Sequence, residues 1–260
     1  MAQSPPLADT PVGNAQPLVA TGRYSLFVAS TPADVDAVQR LRYLVFAEEL
    51  GARLHGSPPG RDIDEFDEFC DHLLIRDDAT GEVVSTYRML PPDRAARAGR
   101  LYSETNFDLT ALAPLRPALV EAGRACVHSE HRTGTVVGLM WAGIARYMVH
   151  SGHRYLAGCA TVPLRDGGGQ AAGVWDLVRA KHYAQYEHRV HPRQEWRAED
   201  VTRPARITVP PLLKGYLRLG AQVCGRPAHD PDFDGADLFV LLSLERVDQR
   251  YLRFFLGEPA

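Results

Sequence analysis

The chain has 260 residues, of which 45% are hydrophobic and 23% are charged, so it is long enough to bury a sizeable core in one large domain. Its net charge of −3 excludes the strongly basic balance that is typical of nucleic-acid-binding proteins. No apolar stretch approaches the ~20 residues of a membrane-spanning helix, and the N-terminus lacks the basic and apolar regions of a signal peptide, so we expect a cytoplasmic protein.

The N-terminal region differs in composition from the rest of the chain. Residues 1–22 are rich in Pro, Ala, Gly and Thr and show no hydrophobic periodicity, which predicts a disordered tail. Residues 23–260 are expected to form one domain, in which the part from about 162 onward is a C-terminal elaboration. The first strand is predicted at Tyr24 to Ala29, where the side chains alternate in polarity.

A helix is predicted to begin after Thr31. Thr31 is a favourable N-cap, Pro32 occupies the first helical position, and Asp34 lies three residues after the cap. The helix would end at Gly51 and would carry Arg42. On this pattern alone, Arg42 is equally well explained as a residue of the solvated helix face.

An acidic segment follows the helix. Apolar Ile63, Phe66 and Phe69 are interleaved there with carboxylates, which are Asp62, Asp64, Glu65, Asp67, Glu68 and Asp71. The spacing does not fit an EF-hand calcium loop, because it lacks the glycine and the terminal glutamate of that motif. Such a run commonly forms a solvated face. The alternative is that two of the carboxylates face a cleft and hold an ammonium group.

The next segment predicts a β-hairpin. The apolar run around LLIR and the strand ending near Arg88 are joined by a turn at 78–81. His72 and Asp77 on the first strand form an HxxxxD pair, which is the signature of glycerolipid acyltransferases. Residues five apart on a strand point to opposite faces, so the two side chains could not share a proton and this interpretation is excluded.

The segment 91–117 is rich in Arg and Pro and predicts a loop with one short helix that could shape a pocket for an acyl chain. A strand, a polar loop and a helix then follow, with Gly134 and Gly138 in the loop and the helix beginning near Thr135. A helix N-terminus offers free N–H groups and the positive end of its dipole, and Arg132 adds a charge beside it. The sequence therefore predicts an anion site here, although glycines in such a loop are more often ordinary turn residues.

The remaining predicted elements complete an α/β (α+β) chain. They are a strand at 154–161, a flexible turn at Gly167–Gly169, a helix at 174–186, a short helix from Pro210-Pro211 to Gly220, a strand at 222–224, a buried strand at 237–244 and a closing helix at 246–256. Cys70, Cys126, Cys159 and Cys224 have no CxxC spacing, so we expect free thiols, most of them buried, and no metal site.

Five segments together carry a resemblance to a known superfamily. They are LRYLVFAEELG at 41–51, DIDEFDEFCDHLLIRD at 62–77, VVSTYRML at 83–90, LVEAGRACVHSEHRTGTVVGLMWAGIARY at 119–147 and RYLAGCAT at 154–161. In this order they resemble the GNAT superfamily from about Tyr24 to about Phe255. The chain is most similar to the haemolysin-like branch, which includes ornithine N-acyltransferases that use acyl carrier protein, and is distantly similar to acyl-homoserine-lactone synthases. The run PPLLKGYLRLGA favours the ornithine branch.

The resemblance implies a mixed, mostly antiparallel central sheet flanked by helices, in which two central strands splay to admit a pantetheine arm. It implies an N-acyltransferase that moves a long, 3-hydroxylated fatty acyl group from acyl carrier protein to the α-amine of ornithine, giving lyso-ornithine lipid without a permanently bound cofactor. An acyl- or acetyl-CoA-dependent enzyme acting on another amino acid or amine, or a non-catalytic acyl-thioester binding module, remains open. Because the product is a lipid, peripheral contact with the inner face of the membrane is possible, although the sequence shows no obvious basic amphipathic helix.

Amide formation from an amine and a thioester needs a base and stabilisation of an oxyanion, but no nucleophilic Ser or Cys. The resemblance implies Glu121 as the base and Arg124 as its catalytic partner, whereas Glu121 could instead form an ion pair with a neighbouring Arg. The two residues stand three apart, so they would share a face only if a bulge intervenes. Backbone N–H groups near Cys126 to His128 would form the oxyanion hole. The expected donor-binding residues are Arg88, Val127, Arg132, Gly134, Thr135, Val136 and Val137. The expected substrate-binding residues are Arg42, which the resemblance places near the acyl-donor site, with Phe46, Asp64 and Asp67, of which the two carboxylates would hold the ammonium group of the acceptor.

Overall fold

A computed structural model describes residues 16–257, so most of the predicted N-terminal tail lies outside the described residues. The central sheet has nine strands in the order β1-β2-β3-β4-β6-β7-β11-β10, and β9 pairs with β11 at the side. The strands are β1 (Val19–Thr21), β2 (Tyr24–Val28), β3 (Asp71–Asp77), β4 (Val83–Leu90), β6 (Leu119–Val127), β7 (Tyr155–Pro163), β9 (Gln222–Val223), β10 (Ala228–Asp230) and β11 (Gly235–Ser243). The pairings are antiparallel except for the parallel pair of β6 and β7, which confirms the expected mixed sheet.

Six helices flank this sheet within residues 16–257. They are α1 (Pro32–Tyr43), α2 (Pro92–Ala98), α3 (Gly134–His150), α4 (Gly169–Lys181), α5 (Pro211–Arg218) and α6 (Gln249–Leu256). A π-helical segment, Leu44–Glu49, continues α1, and a small second sheet pairs β5 (Phe107–Asp108) with β8 (His191–Pro192). None of the helices in this described part is long and apolar enough to cross a bilayer.

The strand β11 shows how the sheet divides the core into two layers. Leu238, Val240 and Leu242 belong to one apolar cluster, together with residues of α3 and α4. The alternate residues Phe239 and Leu241 belong to a second cluster on the opposite face. Because successive side chains of a strand point to opposite faces, β11 is apolar along most of its length and is covered on both sides.

The N-terminal elements follow their local signals. Thr31 Oγ1 accepts the N–H of Asp34 and the Asp34 carboxylate accepts the N–H of Thr31, so the predicted cap is a complete capping box. The helical segment stops before Gly51, which has a φ of 70°. The predicted boundary of the tail at residue 22 is wrong, because β1 pairs with β2 ahead of it.

The C-terminal elements differ more from the prediction. The helix expected at 174–186 is α4, which begins at Gly169 and ends at Lys181. It begins early because the Asp166 carboxylate accepts the N–H groups of Gly168 and Gln170 and so anchors the N-terminus that the glycines seemed to break. The short strands β5, β8 and β10 were not predicted, since two- and three-residue strands carry too little periodicity to detect.

The two central strands β6 and β7 separate partway along their length. Their parallel pairing covers Leu119 to Glu121 and stops at the register pair Glu121 and Ala157. The backbones are still in contact one residue later, because a Cβ added at Gly158 would collide with the carbonyl oxygen of Ala122. Beyond this point the strands diverge, as the resemblance implied. We call the resulting gap, bordered by Gly123–Val127 and Cys159–Pro163, the cleft.

Candidate active site

The edge of the cleft on β6 contains a bulge. Thr86 pairs with Cys126 but Arg88 pairs with Gly123, so β4 has one residue opposite Arg124 and Ala125 of β6. Arg124 has a φ of 53°, which is uncommon for a residue with a side chain. The ladder is therefore regular from Glu121 to Gly123 and the bulge begins at Arg124, where it changes the direction of β6 and the cleft opens.

Open space lines the path from the bulge to α3. A Cβ added at Gly123, Gly134 or Gly138 would meet no atom within 4 Å. Cys159 and Thr161, in the middle of the sheet, keep partial exposure because β6 has moved away from them. Space is therefore open both at the bulge of β6 and at the N-terminus of α3.

The N-terminus of α3 matches the predicted anion site. Thr133 caps the helix by accepting the N–H of Val136, and its carbonyl accepts the N–H of Val137, so the free N–H groups of the first turn are those of Gly134 and Thr135. Arg132 donates to the carbonyl of Val127 at 3.2 Å and to Glu49 at 2.6 Å. The sequence-predicted residues Val127 and Arg132 to Val137 are thus close together at one mouth of the cleft.

Three of the four residues predicted to bind substrates form one ion network with Arg88 and Arg124. We define the ion network as Arg42, Arg88 and Arg124 with Asp62, Asp64 and Asp67. Three guanidinium and three carboxylate groups balance in charge, and most of these side chains are buried. The network joins α1, β4 and the bulge of β6 to the acidic segment, and so holds that segment against the sheet.

Electrostatics inside the ion network favour the charged forms. Burial acts to raise the pKa of Asp67, but hydrogen bonds and charges from Arg42 and Arg88 hold it well below its usual range. The Asp64 carboxylate retains 19% exposure, whereas Asp67 is nearly enclosed. Asp64 is therefore the more accessible of the two predicted acceptor-binding carboxylates.

The solvated-face interpretation fits only part of the acidic segment. Glu65 and Glu68 are exposed, as a charge run predicts, whereas Asp62, Asp64 and Asp67 turn inward. Sequence reasoning did not single out Asp62, which accepts from both Arg42 and Arg124. Arg88, expected to line the donor site, also has its polar contacts in the network, with Asp64 and Asp67.

Glu121 bonds to the protein backbone and not to an arginine. Its two carboxylate oxygens accept the backbone N–H groups of Tyr102 at 2.6 Å and Ser103 at 2.8 Å. No Arg, Lys or His nitrogen of the described residues lies within 4 Å, so the alternative of an ion pair is wrong. Burial raises the pKa of the Glu121 carboxyl above its usual value, against the opposing effect of these hydrogen bonds.

Arg124 projects into an aromatic environment beside the cleft. Its guanidinium lies 4.8 Å from the ring centre of Tyr102 and 5.3 Å from that of Phe233, and it donates to the Tyr102 hydroxyl at 3.0 Å. Phe46, predicted to bind substrate, packs edge-on against Phe233. The turn between β10 and β11 therefore meets the π-helical segment that follows α1.

One of the N–H groups expected in the oxyanion hole is occupied. The N–H of His128 donates to the carbonyl of Val84 and is not available to a ligand. The bulge at Arg124 and Ala125 is where β6 leaves the regular ladder, so free N–H groups are expected there as well.

The histidines and thiols give little support to a metal site or to a cysteine nucleophile. Ligand atoms of His128, Glu130 and His131 lie within 4.8 Å of one another, but His128 Nδ1 accepts the N–H of Glu130 and His131 Nδ1 bonds the Tyr24 hydroxyl. All four cysteines are free, and three of them are buried, which confirms the predicted state. Burial raises the pKa of the Cys126 thiol to about 12, so it stays protonated at neutral pH.

The predicted acyl pocket is not supported. A cavity of about 600 Å³ borders the segment 91–117 at Asp108 and Thr110, but its lining includes Arg189, Glu195 and Arg226. Charged walls do not suit a fatty acyl chain.

Comparisons with known proteins agree with this geometry. The family described as "Acetyltransferase (GNAT) domain" matches residues 41–142. The chain is 34% identical to an L-ornithine N(alpha)-acyltransferase of Rhizobium meliloti, over 88% of this chain and 82% of that protein. It is 33% identical to an L-ornithine N(alpha)-acyltransferase of Brucella abortus, over 95% of this chain and 93% of that protein.

Two solved structures share the fold. The acyl-homoserine-lactone synthase LasI superimposes with a TM-score of 0.53 at 15% identity, covering 92% of this chain and 98% of that chain. FeeM, an N-acyl amino acid synthase from uncultured soil microbes, gives a TM-score of 0.53 at 13% identity, covering 86% and 91%. At these identities the likeness establishes the fold.

Proposed function

The chain belongs to the L-ornithine N(alpha)-acyltransferase family of amide-forming GNAT enzymes, and on that premise we propose that it transfers a fatty acyl group to the α-amine of ornithine. The observation that carries this proposal is the cleft, which opens between β6 and β7 and leads to the N-terminus of α3. A pantetheine thioester fits such a groove, because its phosphate can occupy the anion site while its chain follows the free strand edge.

The proposed donor is a 3-hydroxylated long-chain acyl group on acyl carrier protein, and the product is lyso-ornithine lipid. CoA and carrier protein share the phosphopantetheine arm, so Arg132 and the N–H groups of Gly134 and Thr135 would bind either donor. An acidic carrier protein also needs a basic rim at the mouth of the cleft. Arg132 contacts Glu49 and Arg165 contacts the carbonyl of Leu50. These two arginines therefore lie on either side of the same short segment and would form part of the basic rim.

In the proposed mechanism, the neutral α-amine attacks the thioester carbonyl carbon. Glu121 accepts a proton from the amine through a water molecule, and its raised pKa suits a base that works near neutral pH. Free N–H groups at the bulge of Arg124 and Ala125 stabilise the oxyanion. The carbon–sulfur bond then breaks as the new amide forms, and the departing thiolate takes up the proton from Glu121 through water and leaves as the pantetheine thiol.

The lipid product gives a reason for peripheral membrane contact, which we propose for the surface formed by α6. Within this helix Tyr251 is 45% exposed and Phe254 74% exposed, beside the exposed Arg250 and Arg253. Aromatic side chains with arginines suit the interface of an anionic bilayer. The amphipathic helix was not evident from the sequence, because its pattern spans only eight residues.

The test uses purified full-length protein, 3-hydroxyacyl carrier protein and ornithine. Free thiol release and a mass spectrum of the product measure turnover and identify the amide. We expect one thiol per N-acyl-ornithine, and a lower kcat/KM when acyl-CoA replaces the carrier protein. Absence of thiol release with either donor would contradict the function, whereas equal rates would contradict only the carrier-protein donor.

A variant of the anion site tests the donor geometry. Arg132→Ala is expected to raise the KM for the acyl donor by about 10-fold, since a charged hydrogen bond contributes about 1.5 kcal/mol or more. Arg40→Ala is the matched control, because Arg40 is also exposed and pairs with one carboxylate, that of Asp36. Equal donor KM values for the two variants would remove Arg132 from the donor site.

A further inference from the structure

Three buried carboxylates have no cationic partner. The ion network is balanced, but Glu121, Asp230 and Asp237 are each at most 6% exposed. Within residues 16–257, no Arg, Lys or His nitrogen lies within 4 Å of these three carboxylates. Burying anionic groups without a counter-charge is costly, so such a group is a natural partner for a cationic ligand.

Asp237 has its side chain on the same face of the sheet as Cys159 and Thr161, which border the cleft. It pairs in register with Thr161 of β7 and with Ala228 of β10, and Asp230 is two residues from Ala228 on the same face. The Thr161 hydroxyl donates to one oxygen of Asp237 at 2.6 Å, and the Asn106 amide donates to the other at 3.0 Å. Neutral donors thus orient the Asp237 carboxylate without neutralising it.

The position of Asp237 relative to the reacting centre matches a short diamine. Cys159 lies at the level of Gly123 where the cleft opens, and strand spacing places its Cα about 8 Å from that of Asp237. The two amines of an extended ornithine are about 6 Å apart. An acceptor whose α-amine reaches the thioester in the cleft can therefore place its second amine at Asp237.

Titration behaviour agrees with this arrangement. Burial, together with the negative charge of Asp230, raises the pKa of Asp237 to about 6. Burial and the charges of Asp237, Glu121 and Asp230 also raise the pKa of the Cys159 thiol well above its usual value. Negative charge is therefore concentrated around Cys159, on the acceptor side of the cleft.

We propose that Asp237, supported by Asp230, binds the side-chain ammonium of the acceptor and makes the enzyme selective for an amino acid with a second amine. This inference rests on the proposed function, and it adds a pair of specificity-determining residues outside the acidic segment. Glu121 remains with the α-amine, which has to lose a proton, while Asp237 holds the amine that keeps its charge.

The test compares ornithine with norvaline, which has the same carbon skeleton without the second amine. The ratio of kcat/KM for ornithine to that for norvaline is measured by product mass spectrometry in wild type, Asp237→Asn, Asp230→Asn and Asp234→Asn. We expect Asp237→Asn to lower the ratio by about 10- to 100-fold, mainly through the KM for ornithine. Asp234→Asn is the matched control, since Asp234 is exposed on the same hairpin, and its ratio should equal that of wild type.

Asp230→Asn provides a second variant that keeps the fold. Oδ1 of Asp230 accepts the N–H groups of Asp232 and Phe233, and an asparagine oxygen can do the same. We expect a smaller fall in the ratio. An unchanged ratio in both variants, or a wild type that uses norvaline as well as ornithine, would overturn the inference. If wild type acylates neither amino acid, the proposed function fails first, so the two failures are distinguishable.

Discussion

At the scale of single residues, Glu121 combines two roles that a substitution can separate. Its carboxylate holds the turn at Tyr102 and Ser103, and it is the proposed base. Glu121→Gln keeps one acceptor oxygen but cannot take a proton, so we expect kcat to fall by about 100-fold or more. Thiol release measures kcat, and circular dichroism on heating measures the fold. A folded variant with wild-type kcat would exclude Glu121 as the base.

Asp237 is expected to lower the stability of the folded protein at neutral pH. Its folded pKa of about 6 lies above 3.8, the ordinary pKa of an aspartate, so its contribution to stability is fully present below pH 3.8 and is lost as the pH rises through 6. The groups that face it are Asp230 on β10, Cys159 and Thr161 on β7, and Asn106. None of these carries a compensating positive charge.

Asp237→Asn should therefore stabilise the protein where the carboxylate is charged. We expect the free energy of unfolding at pH 8 to rise by about 1–3 kcal/mol, because each pKa unit corresponds to about 1.4 kcal/mol. The gain should shrink as the pH falls towards 4. Urea unfolding across this range measures it, and a variant less stable than wild type at pH 8 would show that Asp237 is not held at an electrostatic cost.

The distance along the chain between a residue and its partners decides which site residues the sequence could predict. The loop and helix N-terminus around Arg132 and Gly134 were predictable, because their signal is local: a strand, a polar loop and a helix in succession. Asp62 and Asp237 were not, because each acquires its partners from segments far away in the chain. A single sequence also does not reveal that Glu121 accepts from a backbone turn and not from an arginine.

At the scale of elements, the divergence of β6 and β7 depends on two glycines with opposite surroundings. Gly158 lies where the strands still touch, and an added Cβ would collide with the backbone of Ala122. Gly123 lies on the open side, where an added Cβ meets no atom within 4 Å. The same methyl group should therefore have different effects at the two positions.

Gly158→Ala is expected to lower the free energy of unfolding by about 1–3 kcal/mol, because backbone atoms cannot yield as a side chain can. Gly123→Ala should leave the free energy of unfolding within about 0.5 kcal/mol of wild type. It should raise the KM for the acyl donor by narrowing the groove. Urea unfolding and donor kinetics separate the effects, and equal destabilisation by both substitutions would contradict a gap between the strands.

The elements themselves were predictable in proportion to their length and caps. The capping box of α1 and the hairpin of β3 and β4 follow from contiguous residues. The sequence indicated only that Glu121 and Arg124 would share a face if β6 had a bulge. It did not predict where the bulge lies, because pairing with β4 sets that position. The start of α4 was missed because Asp166 stabilises it from outside the apolar pattern.

At the scale of the whole molecule, the net charge of −3 opposes binding to an anionic membrane. Any peripheral contact must therefore be made by one oriented surface where cationic and apolar side chains coincide. The helix α6 provides such a surface, and its C-terminal carbonyl of Leu256 accepts from Arg146 of α3 at 3.1 Å. A protein bound through α6 would hold α3, and hence the cleft beside it, at a fixed orientation to the bilayer.

Substitution of Phe254 by Ser tests this orientation directly. We expect Phe254→Ser to reduce the fraction of protein that sediments with vesicles of anionic phospholipid by about fivefold, since burial of a Phe side chain contributes about 1.5–3 kcal/mol and α6 inserts only partly. Tyr186→Ser is the matched control, because Tyr186 is 83% exposed but lies on a turn outside α6. Turnover of a water-soluble short-chain donor should be the same in both variants. If the two variants sediment equally, or if 0.5 M salt leaves binding unchanged, the contact does not depend on an aromatic and arginine surface at α6, because a Debye length of only about 4 Å at that ionic strength would weaken an attraction carried by Arg250 and Arg253.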